Sequence, residues 1–190
     1  MDINRNSALL LIDIQKGFED ILYWGGNRNN PDAELKASIL LDHWRKSGMP
    51  VFIIKHCSVN PGSPLAKGKR GNDLIDKIEP LDIEPVIEKN VNSAFIGTEL
   101  LEMLRRSQVQ QVIIAGFTTN HCISTTARMA GNLGFKTYVV SDACVAFDTM
   151  GHDGKLYSAE LIHDTSLASL NNEFAEIMTT AQIIRHFSVL

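Results

Sequence analysis

Residues 112–140 read VIIAGFTTNHCISTTARMAGNLGFKTYVV, and within this stretch the hydrophobic period changes twice. Val112 to Ala115 is a short apolar run. From Cys122 to Gly134 the apolar residues Ile123, Ala127 and Ala130 recur at helical spacing, and Thr137 to Val140 is a short apolar run again. Nearly all-apolar strands alternating with amphipathic helices are the mark of a parallel sheet covered on both faces. The same alternation extends outward in both directions, with apolar runs at Ala8–Ile12, Val51–Ile54 and Val86–Ile87 before this stretch and Phe174–Met178 after it. The predicted fold class is α/β, a three-layer, doubly wound, mostly parallel sheet.

Helices are expected between these runs. The best marked has Asn30 as its cap, Pro31 in first position, Asp32 and Glu34 in its first turn and Arg45, Lys46 and Gly48 at its end. Its apolar face is read as Leu35, Ile39, Leu40 and Trp44. Others are placed from about Thr98 to Arg106, with Leu100, Leu101 and Leu104 inward, from Lys155 to Ser169 with Leu161, Ile162 and Leu167 along one side, and after Thr180. Residues 58–82 are poor in periodicity and rich in Pro, Gly and Lys, an excursion from the sheet of the kind that binding loops make. No repeat or linker divides the chain, so residues 1–190 are expected to form a single domain.

A formal charge of −4 with no basic stripe argues against a nucleic-acid partner. No stretch approaches the roughly 20 apolar residues of a membrane span. Three cysteines, an odd and sparse set, do not make a disulfide framework. These features, with no secretory leader pattern at the start, predict a cytoplasmic protein acting on a small molecule.

Ligands of open α/β sheets bind beyond the carboxyl ends of the strands, so polar residues just past apolar runs are the candidates for chemistry. Asp13 ends LLLID, Lys89 ends PVIEK, and Cys122 follows VIIAGFTTNH at a helix start. Taken singly, a strand-end Asp is often a turn acceptor, a strand-end Lys is solvated and a lone Cys is a small hydrophobe. Together they supply a nucleophile, an acid/base and a cation. A free thiol has a pKa of about 8.5, and a helix N-terminus and a nearby ammonium are expected to stabilise the Cys122 thiolate. Asp13 can accept the thiol proton and return it to a leaving amine.

Those residues bring the chain to a known family. Through LLLIDIQKGF (9–18), EKNVNSAFIGTELLEML (88–104) and residues 113–148, it resembles the isochorismatase-like cysteine hydrolases nearly end to end. The resemblance implies Asp13, Lys89 and Cys122 as a catalytic triad and a cis peptide between Phe117 and Thr118. It also implies an oxyanion hole made by the backbone amides of Thr118 and Cys122, and a dimeric or tetrameric homo-oligomer. Residues 183–190 (IIRHFSVL) are a candidate interface. Trp24 and Phe18 are read as pocket walls, Gln15 as a partner for a substrate carbonyl, and His56 and Phe117 as further substrate-binding residues.

Nicotinamidases of this superfamily hold a metal with an Asp-Trp-His run after the second strand, where this chain has IIKHCSVNPGSPL (53–65). His56 alone cannot build that site, so no metal and no cofactor are expected. Cys122 favours amide, ureide or lactam cleavage over the vinyl-ether cleavage of true isochorismatases. A metal-assisted amidase, a non-catalytic scaffold and thiol redox sensing at Cys122 stand as rivals. GSPLAKGKR is set aside as a phosphate loop because Gly62 and Gly68 are separated by five residues and Arg70 follows Lys69. His163 is expected to pack or bond within its own helix, His121 to point away from Cys122 by adjacency, and Cys144 to be a core or loop thiol.

Overall fold

The computed structural model describes residues 6–187. Residues 188–190 of the candidate interface pattern lie outside that range, as do residues 1–5. Six strands form one sheet: β1 (Ser7–Ile12), β2 (Val51–His56), β3 (Val86–Lys89), β4 (Gln111–Phe117), β5 (Lys136–Val145) and β8 (Glu176–Met178). Their order is β3-β2-β1-β4-β5-β8, and every neighbouring pair is parallel. A two-stranded antiparallel ribbon, β6 (Thr149–Met150) and β7 (Leu156–Tyr157), stands apart from the sheet, and α1 (Ile21–Trp24) is a single turn after β1.

Period-two alternation along β1 divides the core. Leu9 and Leu11 face one apolar cluster with α2 (Ala33–Lys46) and Ile183 of α6 (Thr180–Phe187). Ala8, Leu10 and Ile12 face the other, with residues of α3 (Leu100–Arg106), α4 (Ser124–Asn132) and α5 (Ala159–Leu170). This makes the three layers and explains why the strands read as continuous apolar runs. Edge strand β3 differs, alternating exposed and buried residues, so that Lys89, its last residue, points inward.

Several details depart from the reading by periodicity. The α2 helix is capped at Asp32, while Asn30, at φ 45°, donates from its amide to the carbonyls of Ser141 and Cys144. Its buried face is Ala33, Ala37, Leu40, Leu41 and Trp44; Leu35 and Ile39 are exposed. These positions recur at i, i+4, i+7, i+8 and i+11, one face of the helix, and Leu35 and Ile39 fall outside it. The α5 helix begins at Ala159 after the cap Ser158, because Leu156 and Tyr157 are taken up in the β6–β7 ribbon. Its buried residues are Ala159, His163, Leu167 and Leu170, with Leu161 exposed. Instead of one helix from Cys122, a wide π-type turn at Thr119–Ile123 leads into α4. No helix among the described residues is long and apolar enough to cross a membrane.

Candidate active site

The strand order reverses direction between β1 and β4, the crevice where open α/β sheets hold ligands. Register sets what meets there. Ile12 pairs with Gly116 on one side and Ile54 on the other, and His56 pairs with Lys89. Asp13, one step past Ile12, and the paired His56 and Lys89 converge on the same sheet edge. Asp13 leaves β1 at φ 57°, a left-handed conformation that Asp tolerates better than most residues and that turns its side chain off the strand. Gly116, at φ 134°, is obligatory for another reason: a Cβ there would collide with the Ile12 carbonyl oxygen. The next peptide, Phe117–Thr118, is cis.

Lys89 is the centre of the arrangement. Its Nζ donates to Asp13 Oδ2 at 2.6 Å, approaches His56 Nδ1 at 3.2 Å and donates to Cys122 Sγ at 3.3 Å. The Lys89 and Asp13 side chains are 0% and 1% exposed. An ammonium has three N–H groups and no acceptor, and here each has a partner. Because the ammonium can only donate, His56 Nδ1 is the acceptor, and its proton sits on Nε2. Asp13 Oδ1 is buried with no N–H or O–H partner, and the Asp13 carboxyl interacts with the Cys122 thiol, which also donates to Asn92 Oδ1 at 3.9 Å.

Burial dominates the electrostatics. It raises the Asp13 carboxyl above its usual range, against the opposing pull of Lys89. Burial also pushes the Cys122 thiol up, and the Asp13 charge adds to this, outweighing Lys89. Expecting a resting thiolate from a helix start and a nearby ammonium was therefore incomplete: the desolvated anion next to a carboxylate is the costlier state. His56 is held below its ordinary value first by burial and then by Lys89.

A cavity of about 230 Å³ opens onto these groups. Asp13 and Cys122 lie among its lining, and Phe18, Trp24 and Leu65 form its apolar wall. Phe18 and Trp24 stack at 4.6 Å between centroids, and the indole N–H is used on the Gly17 carbonyl at 2.8 Å. His56, Asn92, Thr118 and His121 supply its neutral polar lining.

Two expected contacts are corrected. Gln15 is 1% exposed, and its amide is wholly engaged with backbone, donating to the carbonyls of His56 and Asn72 and accepting from the His56 N–H. With both ends of the amide occupied it has nothing to offer a substrate carbonyl; it positions His56. Phe117 belongs to the core, edge-on to Phe18 and under the Arg28 guanidinium, and does not line the cavity.

His121 is the reverse case. Neighbours in a helical turn are separated by about 100°, unlike alternating strand residues, so Cys122 and His121 both reach the cavity. His163 bonds across to Thr119 at 2.9 Å and not within its helix. Leu65 comes from the 58–82 excursion, which Asn72 pins by donating to the His56 and Leu65 carbonyls. Asn92, three residues past Lys89, and His121 carried no sequence signal of their own.

Asp13, His56 and Cys122 also lie close enough together, within 4.8 Å, to suggest a metal cage. The Lys89 ammonium is bonded to the same three side chains, so the position a cation would take is filled by the chain's own.

Comparisons with known proteins agree with this architecture. The isochorismatase domain family matches residues 7–182. The isochorismatase family protein YrdC of Bacillus subtilis is 44% identical over 97% of this chain and 98% of its own. Nicotinamidase 3 of Arabidopsis thaliana is 30% identical over 80% of each chain. The crystal structure of an isochorismatase-family protein from Chromobacterium violaceum superposes with a TM-score of 0.94 at 38% identity, covering 99% of this chain and 96% of that one. The chain belongs to the isochorismatase family and is a hydrolase of that family.

Proposed function

We propose that the protein hydrolyses a carbon–nitrogen bond of a small-molecule amide, ureide or lactam, with Cys122 as nucleophile, Asp13 as acid/base and Lys89 as the cation that balances them. The observation that carries this reading is the single buried ammonium bonded at once to Asp13 Oδ2 and Cys122 Sγ at the end of a cavity. Likeness to a nicotinamidase supports C–N chemistry.

With the thiol protonated at rest, attack and proton transfer are concerted. Sγ bonds to the carbonyl carbon as its proton passes to Asp13 Oδ1, the carboxylate oxygen without a partner. The backbone amides of Thr118 and Cys122 are the proposed donors to the oxyanion, a contribution of about 3 kcal/mol per donor in such sites. Collapse breaks the C–N bond, and the leaving nitrogen takes the proton back from Asp13. Water then attacks the thioester while Asp13 accepts its proton, which returns to Sγ as the acid is released. Lys89 lies against whichever of Asp13 and Cys122 carries the negative charge.

The test is hydrolysis of a panel of small amides, ureides and lactams by the wild type, Cys122→Ser and Asp13→Asn, with and without a chelator. Chelator-resistant turnover lost in both variants is expected. Turnover that survives Cys122→Ser, or that a chelator abolishes, would overturn the reading in favour of metal-assisted hydrolysis.

A further inference from the structure

The cavity is more selective than its polarity suggests, because it holds no spare charge. Lys89 is the cation nearest the reacting end, and its three N–H groups are spent on Asp13, His56 and Cys122. No lysine or arginine is among the described residues lining the cavity, and its one carboxylate, Asp13, is paired. The remaining polar lining consists of an amide, a hydroxyl and two imidazoles, and the wall is Phe18, Trp24 and Leu65. His56 offers only an Nε2–H donor, because Lys89 fixes its tautomer. The Trp24 N–H is taken by Gly17. At about 230 Å³ the space lies below the range typical of drug-sized ligands and suits a small substrate.

Resting on the hydrolase reading above, we propose that this site takes uncharged amides and rejects amides that also carry a carboxylate, with the His56 Nε2–H meeting a neutral acceptor on the substrate. A carboxylate in this cavity would lose water and meet neutral donors but no countercharge, which is expensive. The same property governs release: hydrolysis turns a neutral amide into a carboxylate, which the site does not hold.

Succinamide and succinamate test this directly, since they are nearly isosteric and differ by one amide against one carboxylate. The second is also the product of the first. After correction for two equivalent amides, kcat/KM for succinamide is expected to exceed that for succinamate by about a hundredfold or more. Ammonia release should stop at one equivalent per succinamide. Placing a cation at the cavity, by Asn92→Lys at its exposed rim or Leu65→Lys in its wall, should narrow the ratio by about tenfold or more in at least one variant. Equal or better use of succinamate by the wild type, or an unchanged ratio in both lysine variants, would overturn the proposal.

Cys122→Ser separates this from the hydrolase reading. If the folded variant still cleaves either compound, that reading fails whichever way the charge preference falls. Should the wild type cleave neither, the readout is protection of Cys122 from alkylation. Protection by succinamide alone supports the proposal; equal protection by both compounds, or by neither, overturns it.

Discussion

Cys122 and Cys144 belong to the same apolar cluster and are both buried, yet their surroundings differ. Cys144 sits in β5, registered against Gly116, wholly enclosed by apolar core, and burial pushes its thiol up to about 12. Cys122, in the turn after β4, is also pushed up by burial. It differs in its neighbours: a carboxylate with one free oxygen, an ammonium at 3.3 Å and an opening to solvent. Acidity at rest is thus the property the two thiols share. On the function proposed above, what sets Cys122 apart is having somewhere to send its proton when a carbonyl arrives, and a cation to hold the charge while it moves.

The largest effect should come from exchanging the two sulfurs one at a time. Cys122→Ser is expected to lower kcat/KM by about a thousandfold or more, because serine lacks a base strong enough to activate it here. Cys144→Ser should stay within about tenfold, its cost falling on stability through a hydroxyl placed in apolar core. Steady-state kinetics with thermal melts of both variants measure this, and comparable activity losses would erase the distinction.

Lys89→Met comes next. It leaves the Asp13 carboxylate buried and alone, and removing one partner of a buried pair costs about 3–5 kcal/mol. Denaturant unfolding should show that loss, and activity should collapse with it. The double variant Asp13→Asn/Lys89→Met removes both charges and should regain most of the stability without regaining turnover. If the double variant is as unstable as the single one, the pair is not what the fold is paying to keep.

The meeting of Asp13, Lys89 and Cys122 was legible because the first two end apolar runs, the third opens the helix after one, and a parallel sheet brings such positions to one edge. Six strands and the α/β class were legible for the same reason. Properties set by distant partners were not. Gln15 looked free because its partners, the backbones of His56 and Asn72, lie far along the chain. Phe117 looked like a wall because nothing in sequence says which face of a strand end carries the core. The inward stripe of α2 was not legible, because Ala33 and Ala37 lead the face that Leu40, Leu41 and Trp44 continue, and which of two offset apolar faces turns to the sheet is set by tertiary packing. The thiol's acidity depends on burial, which is tertiary.

A smaller and sharper test sets thiol reactivity against catalysis. The Asp13 charge raises the Cys122 thiol, and Lys89 lowers it. In Asp13→Asn the first influence is gone, and Lys89 is released from its ion pair to stabilise a thiolate. Alkylation of Cys122 by iodoacetamide near neutral pH should therefore speed up, by about tenfold for each unit the thiol falls, while hydrolysis is lost. Cys144 should remain unreactive in both proteins. Slower alkylation in Asp13→Asn would mean that Asp13 activates the resting thiol, and the concerted proton transfer would have to be abandoned.

The smallest effect concerns His56, a titratable neighbour that Cys122 has and Cys144 lacks. Burial and Lys89 hold its native pKa below 6.5. On acidification the unfolded chain therefore takes up the proton before the native one does, so this group's contribution to stability is present above pH 6.5 and is lost as pH falls through the lowered native value. The sign follows from the wiring: a protonated Nδ1 could no longer accept from Lys89, and two cations would face each other at 3.2 Å. His56→Gln, which stays neutral and keeps an acceptor, should flatten the fall in unfolding free energy below pH 6.5 by about one proton's worth of slope at most. An unchanged slope would mean that His56 is not the neutral acceptor that completes the ammonium's third bond, and the tautomer assigned to it would fall as well.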